Sequence, residues 1–417
     1  MVTFTVVALL GVFAVLFSNA HAISVPGADN RHDYKVAVTH FALTNTGVKD
    51  PYHPTEDRRV MASLFMPIPK DSCSKECTEP YMPPMTAAIA NEQFIAGGKR
   101  NIGVFESMDY KVCCGSSATI DASNIPVVVL EPNVDTSRLL YSTMARFISA
   151  NGVAVVLIDH PGDASIVQFP PSTSRVRRAT TTDVYNSGTV PLSNFSPLTS
   201  WNSTITTALL VRQTDISFVL AHITSSPSFL PTHFPALAFS TPLNTSSYGV
   251  IGHGLGGTLA TSLSLSNTST TRFSINLSGS APPLTKPVAN SPLWFFGRSP
   301  AFRREHDINW GRTWLHLAGR IATEFDAVDA GVFDMSDLPV IVELAQNEGG
   351  KGAAVVGRGI SGGGNAVQVQ HGVLCFVENV VKGALGREGQ GVGVQDCVRM
   401  FAGWCRILVF KAVITWK

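Results

Sequence analysis

Residues 248–262 read YGVIGHGLGGTLATS, and the reading of the whole chain follows from them. An apolar strand runs into a glycine-rich turn and out into a helix of small residues. At such a junction a G-x-S-x-G sequence forms a strained elbow that lifts a serine hydroxyl above the edge of a sheet, where it acts as a nucleophile. Here the central residue is Gly254, flanked by Gly252 and Gly256. The flanking glycines meet the need for a tight turn and close helix packing, so the sequence predicts the shape of the elbow without its nucleophile.

Working outward, residues 126–130 and 153–158 are continuous apolar runs with a helical pattern at 137–149 between them. Fully apolar strands separated by helices signal a parallel sheet covered on both faces. The alternation continues with an amphipathic helix at 204–223, a strand at 273–277, a helix at 308–317, a strand at 321–328, an apolar run at 338–344 and a helix at 365–381. Upstream, residues 34–43 and 59–66 alternate and predict an antiparallel pair at one edge. Residues 72–123 read as a long irregular excursion with a short helix at 85–95, and about 165–200, rich in Ser, Thr and Pro, as a cap insertion. The expected division is a leader at 1–22, one α/β domain at 23–385 and a tail of uncertain structure at 386–417.

The chain has 417 residues, enough for a large core, with a net charge of +1 and 15% charged residues. No basic field exists to hold a nucleic acid. Residues 6–17 are apolar and are followed by Ala20-His21-Ala22, a small-x-small cleavage pattern, which predicts a secreted protein. An uncleaved anchor is the alternative, although the run is short for a membrane span, and no other segment is long enough. Sequons at Asn194, Asn202, Asn244 and Asn267 predict glycosylated surface loops, whereas the match at Asn276 falls in an expected buried strand and is expected to be unused. Seven cysteines in an exported chain predict disulfides with a thiol left over, and a bridge between the Cys73/Cys77 and Cys113/Cys114 groups would close the excursion as a flap. A zinc site lacks suitably spaced histidines, so no metal is expected.

GHGLGG also satisfies G-x-G-x-x-G through Gly252, Gly254 and Gly257. A dinucleotide site would need an acidic residue about 20 positions further on, and residues 271–278 contain none. No cofactor is expected.

Four ordered stretches, SRLLYS at 137–142, DHPGDA at 159–164, DISFVL at 215–220 and GHGLGG at 252–257, resemble secreted fungal α/β hydrolases. Within that class they are most similar to the platelet-activating-factor acetylhydrolase-like esterases, over roughly residues 35–385. The resemblance implies an α/β-hydrolase fold, with a mostly parallel central sheet, helices on both faces and a cap region. It also implies the cleavage of short acyl groups from lipids or small esters by a Ser, Asp, His triad in that chain order.

Carried onto this chain, the nucleophile of the family falls on Gly254, its acid on Ser278 in Ile275-Asn276-Leu277-Ser278-Gly279, and its histidine on Val332, ahead of Met335-Ser336-Asp337-Leu338-Pro339. Glycine has no hydroxyl, valine takes no proton, and serine cannot stabilise an imidazolium as a buried carboxylate does. What the resemblance leaves is an oxyanion hole from the backbone of Leu255 and of Asn133 or Val134, in an intact pocket. Three functions compete: a non-hydrolytic protein binding an apolar or lipid-like small molecule, an esterase with a displaced nucleophile such as Ser280 served by His253 or His160, and a cyclase or lyase using the pocket alone. Asp159 and Asp163 are candidates to orient His160, with turn-capping as the alternative, and His371 is a weaker candidate base because it sits in a helical pattern.

Overall fold

The structure is a computed structural model that describes residues 22–27, 32–96, 103–170, 184–185, 201–266, 270–284, 292–317, 322–347, 355–362, 364–384 and 397. The leader, Asn194, Asn267, most of the cap insertion and most of the tail lie outside the described residues.

Eight strands form the central sheet: β1 (Tyr34–Lys49), β2 (Asp57–Pro69), β5 (Val127–Glu131), β6 (Ala154–Asp159), β7 (Tyr248–His253), β8 (Thr271–Leu277), β9 (Leu293–Ser299) and β10 (Ala322–Val328). Between β2 and β5 come β3 (Cys73–Pro80) and β4 (Met108–Ser116), which belong to a separate small sheet. The order across the central sheet is β10-β9-β8-β7-β5-β6-β2-β1. All neighbours from β10 to β6 pair parallel, whereas β2 pairs antiparallel with both β6 and β1. This is the α/β-hydrolase fold, with the antiparallel pair at the expected edge.

The central strands are apolar throughout because both faces are covered. In β5, Val128 and Leu130 join one core while Val127 and Val129 join the other; in β6, Val155 and Leu157 face the first core and Ala154, Val156 and Ile158 the second. The first core is filled by α1 (Pro84–Phe94), α2 (Ser142–Ser149), α6 (Leu338–Asn347) and α7 (Asn365–Ala384). The second is filled by α3 (Ser203–Ser225) and α4 (Leu255–Leu265). A third, smaller cluster packs α5 (Ile308–His316) on β9, with the Trp310 ring stacked on Phe295 at 5.0 Å.

Two elements depart from the sequence reading. The excursion at 72–123 is not irregular: β3 and β4 form an antiparallel hairpin around the expected short helix α1, and Cys73–Cys113 and Cys77–Cys114 bridge the hairpin. Its polar, cysteine-rich composition hides the strand signal because β3 is largely solvent-facing and its register shifts at two points. The strand β9 was not expected at all, since its run LWFFGRS stands between prolines and carries Gly and Arg. A third disulfide, Cys375–Cys397, ties α7 to the one described residue of the tail. Asn202 caps α3 through Ile205 N–H and Asn244 is exposed, while Asn276 is fully buried and binds Thr261, Gly279 and Ser280, so it cannot carry a glycan. Among the described residues no helix is long and apolar enough to cross a membrane.

Candidate functional site

The parallel strands end on one edge of the sheet, and there the loops after β5, β6, β7 and β8 converge, as ligand sites do in open α/β sheets. The elbow itself is formed. Gly254 follows β7 at φ 53°, ψ −115°, and α4 starts at the next residue. A Cβ on Gly252 would meet the Gly256 carbonyl oxygen at 2.0 Å, so the strand and helix cross too closely for any side chain there.

A side chain at Gly254 meets a different obstacle, the carboxamide of Asn133. A Cβ would stand 1.9 Å from Asn133 Oδ1. That oxygen accepts hydrogen bonds from Val134 N–H at 2.8 Å and Leu255 N–H at 3.2 Å. These are the two backbone donors an oxyanion hole requires, one after β5 and one after the elbow. The expected hole is therefore present, with Val134 rather than Asn133 as its second donor, but it is filled by an amide oxygen of the chain itself. Asn133, Val134, His253, Leu255, Ser278 and Ser280, around the pocket that the resemblance implies, are all buried. The missing Cβ of Gly254 is what makes room for the carboxamide.

Asn133 donates its own N–H to Tyr141 Oη at 3.1 Å, and Tyr141 Oη lies 2.7 Å from His253 Nδ1. Burial raises the Tyr141 pKa well above the usual phenol range, so the hydroxyl keeps its proton in the hydrogen bond it shares with Nδ1. Burial, with the Arg298 charge behind it, lowers His253 to about 3. The imidazole is thus neutral. The Val332 carbonyl lies near enough to favour the charged ring but makes no hydrogen bond of good geometry, leaving Nε2 without a partner. Nδ1 is engaged by Tyr141, and no serine hydroxyl is bonded to either ring nitrogen among the described residues.

Ser278 sits at φ 60°, and its hydroxyl accepts from Arg298 Nε at 2.7 Å. Burial holds the Arg298 guanidinium down at about 10, opposed by Asp334. A cation therefore stands where an acid would orient a histidine. Val332 lies in the turn after β10, and its neighbour Phe333 packs edge-on against His253 at 6.1 Å and Phe94 of α1 at 5.0 Å. Gln93 of α1 also donates to the Asp135 carboxylate at 3.2 Å and to its carbonyl, so the excursion covers the elbow loops.

The other candidates are placed elsewhere or otherwise engaged. His160 is buried with Nδ1 2.8 Å from Asp215 and Nε2 2.9 Å from Glu131. Burial alone lowers its pKa, but those two carboxylates raise it to about 9, so it is a charged strut and not a base. Asp159 and Asp163 do not orient it: Asp159 pairs with Arg138 and Asp163 with Arg212. No hydrogen bond joins Ser280 Oγ to a histidine among the described residues, and that hydroxyl is buried without a partner. His371 is exposed on α7, away from the elbow. Around His160 the network extends to Arg58, which reaches Asp215 at 2.6 Å and Asp50 at 2.8 Å, and to Arg212, 3.4 Å from Glu131. Sequence reading missed the parts played by Glu131, Tyr141, Arg212, Asp215 and Arg298; Tyr141 and Asp215 lie in the stretches that carry the resemblance and Arg212 lies three residues before one, whereas no local signal marks Arg298. Among the described residues no group of three His, Cys, Asp or Glu could hold a metal ion.

The sheet order, the elbow and the paired donors facing it define an α/β-hydrolase-fold protein of the esterase kind. More narrowly, the profile of the family "Platelet-activating factor acetylhydrolase, isoform II" matches residues 52–316, and the chain belongs to that family. A relative from Arthroderma benhamiae, named as a "Probable 1-alkyl-2-acetylglycerophosphocholine esterase", is 29% identical over 261 residues, 59% of this chain and 58% of the relative. The match thus spans less than two thirds of that relative's length. Among solved structures, a ferulic acid esterase from Streptomyces cinnamoneus superposes with a TM-score of 0.61 at 19% identity, over 87% of this chain and 92% of the other. That likeness concerns the fold.

Proposed function

We propose that this chain is a secreted, non-hydrolytic member of the acetylhydrolase family that binds a lipid-like small molecule at the inherited strand edge. One observation carries the reading. The Asn133 carboxamide oxygen occupies both oxyanion donors, in space that only a glycine at 254 leaves free. An ester carbonyl would have to displace it, and no nucleophile waits beyond it. The displaced-nucleophile reading loses support from the same geometry, because both ring nitrogens of His160 face carboxylates and His253 is bonded to Tyr141 with no serine hydroxyl on either nitrogen among the described residues. The lipid-like ligand rests on family membership and on the apolar cover formed by Phe94 and Phe333.

The test pairs binding with turnover on purified protein, using a fluorescent 1-alkyl-2-acetyl glycerophospholipid and a fluorophosphonate probe. Saturable binding with no acetate release and no labelled serine is the expected result. Acetate release blocked by the fluorophosphonate overturns the non-hydrolytic reading, and absence of binding overturns the lipid-like ligand.

A further inference from the structure

A cavity of about 250 Å³ is lined by none of the elbow residues. Its buried lining includes Val25, Val36, Val112 and the guanidinium of Arg146, and its exposed lining includes Glu76 and Lys111. Arg146 is 4% exposed. Its Nη1 and Nη2 donate only to backbone carbonyls, of Val25, Pro26 and Lys111, at 3.2–3.5 Å. The guanidinium also lies 4.7 Å from the centre of the Tyr110 ring. Gly27 is placed so that a Cβ would meet Nη2 at 2.3 Å, so the main chain closes over the cation as tightly as it can.

Three other buried arginines have a carboxylate at ion-pair distance: Arg58 has Asp50 and Asp215, Arg138 has Asp159, and Arg212 has Asp163 and Glu131. Arg146 has no carboxylate at ion-pair distance among the described residues, and Asp337 acts on it only through space. Long carbonyl contacts and a ring face offset part of the cost of burying a full charge, but they do not neutralise it. The second cation on the cavity, Lys111, likewise forms no ion pair among the described residues, whereas Lys35 is neutralised by Glu76 at 2.9 Å.

We propose that this cavity binds a small carboxylate with a short alkyl tail. The planar guanidinium and Lys111 would face the carboxylate, and the Val25, Val36 and Val112 side chains the tail. Phosphate has no tail for the Val25, Val36 and Val112 side chains to cover. The site shares no residue with the elbow, so it stands or falls independently of the function proposed above.

The test is ligand-observed NMR and calorimetry with sodium hexanoate on the full chain, with 1-hexanol and inorganic phosphate as comparison ligands. A ligand of this size is expected to bind with Kd on the order of 1 mM, weakened by rising chloride. Lys111→Glu, at an exposed position that leaves the fold intact, should weaken hexanoate about tenfold, and Arg146→Gln should abolish binding. Asn133→Ala should leave it unchanged. 1-Hexanol binding as well as hexanoate, phosphate binding more tightly than hexanoate, or hexanoate binding indifferent to Lys111→Glu would each overturn the proposal, as would no binding at 20-fold above the expected Kd, roughly 20 mM.

Discussion

Gly254 and Asn133 make a coupled pair, and the coupling is measurable. In Gly254→Ser the new Cβ would start 1.9 Å from Asn133 Oδ1, so the carboxamide must withdraw by about 1.5 Å to reach ordinary contact. Withdrawal strands the Val134 and Leu255 N–H groups in a buried site, at about 1–3 kcal/mol each. Serine at φ 53° adds roughly 1 kcal/mol of backbone strain, giving a total cost near 4 kcal/mol. Asn133→Ala strands the same two donors and should cost about 3 kcal/mol. In the double variant the donors are lost only once and the clash is gone, so the cost should be about 4–5 kcal/mol and not the additive 7. Urea unfolding followed by tryptophan fluorescence gives all four corners of the cycle. A coupling of about 2 kcal/mol supports the filled hole, and additivity to within about 0.5 kcal/mol refutes it.

Other consequences follow from the buried charges and bridges. His160 titrates at about 9 in the fold against about 6.5 unfolded, so its stabilisation is complete below pH 6.5 and lost as pH rises through 9. His160→Gln should flatten the urea-midpoint profile over that window, where the natural chain loses up to about 1.4 kcal/mol per pH unit. Asp337 is held at about 7, chiefly by burial, although Tyr81 and the N–H groups of Thr143 and Met144 bond to it. Its folded state holds a proton that the unfolded state has released, so stability falls as pH rises from about 4 to 7, and Asp337→Asn should remove that fall. Arg58→Met leaves Asp50 without its ion partner and Asp215 with His160 alone, and should cost about 3 kcal/mol, with little rescue by Arg58→Lys because three guanidinium nitrogens are engaged. Cys73–Cys113 and Cys77–Cys114 close nearly the same loop, with separations of 40 and 37 residues. Removing either alone should therefore lower the thermal midpoint much less than removing both, a pair worth about 4 kcal/mol.

The sheet was legible because its central strands are apolar on every residue, and the elbow because Gly252 and Gly256 meet a steric demand that no other residue satisfies. The hairpin around α1 was not legible: β3 is a solvent-facing strand of Ser, Lys, Glu and Thr, and its place is set by disulfides and by pairing with β4 far along the chain. At the site, the sequence pointed to the elbow at Gly254 and to both stretches that supply the donors. It could not tell that the side chain of Asn133 turns back onto its own hole, because that contact joins residues 122 apart. For the same reason His160 read as a free histidine beside two aspartates, whereas its partners come from Glu131 and Asp215, 29 and 55 positions away. Short-range pattern finds the chain's framework; the ionisation of a buried group depends on neighbours that only the fold brings together.

The most direct test of the central claim is the initial rate of p-nitrophenyl acetate hydrolysis by the purified natural chain, set against Gly254→Ser and a heat-denatured control. Rates indistinguishable from the control for both proteins are predicted, since the variant gains a hydroxyl but neither a base nor an acid. Turnover by the natural chain well above the control, and blocked by a fluorophosphonate, would contradict the account.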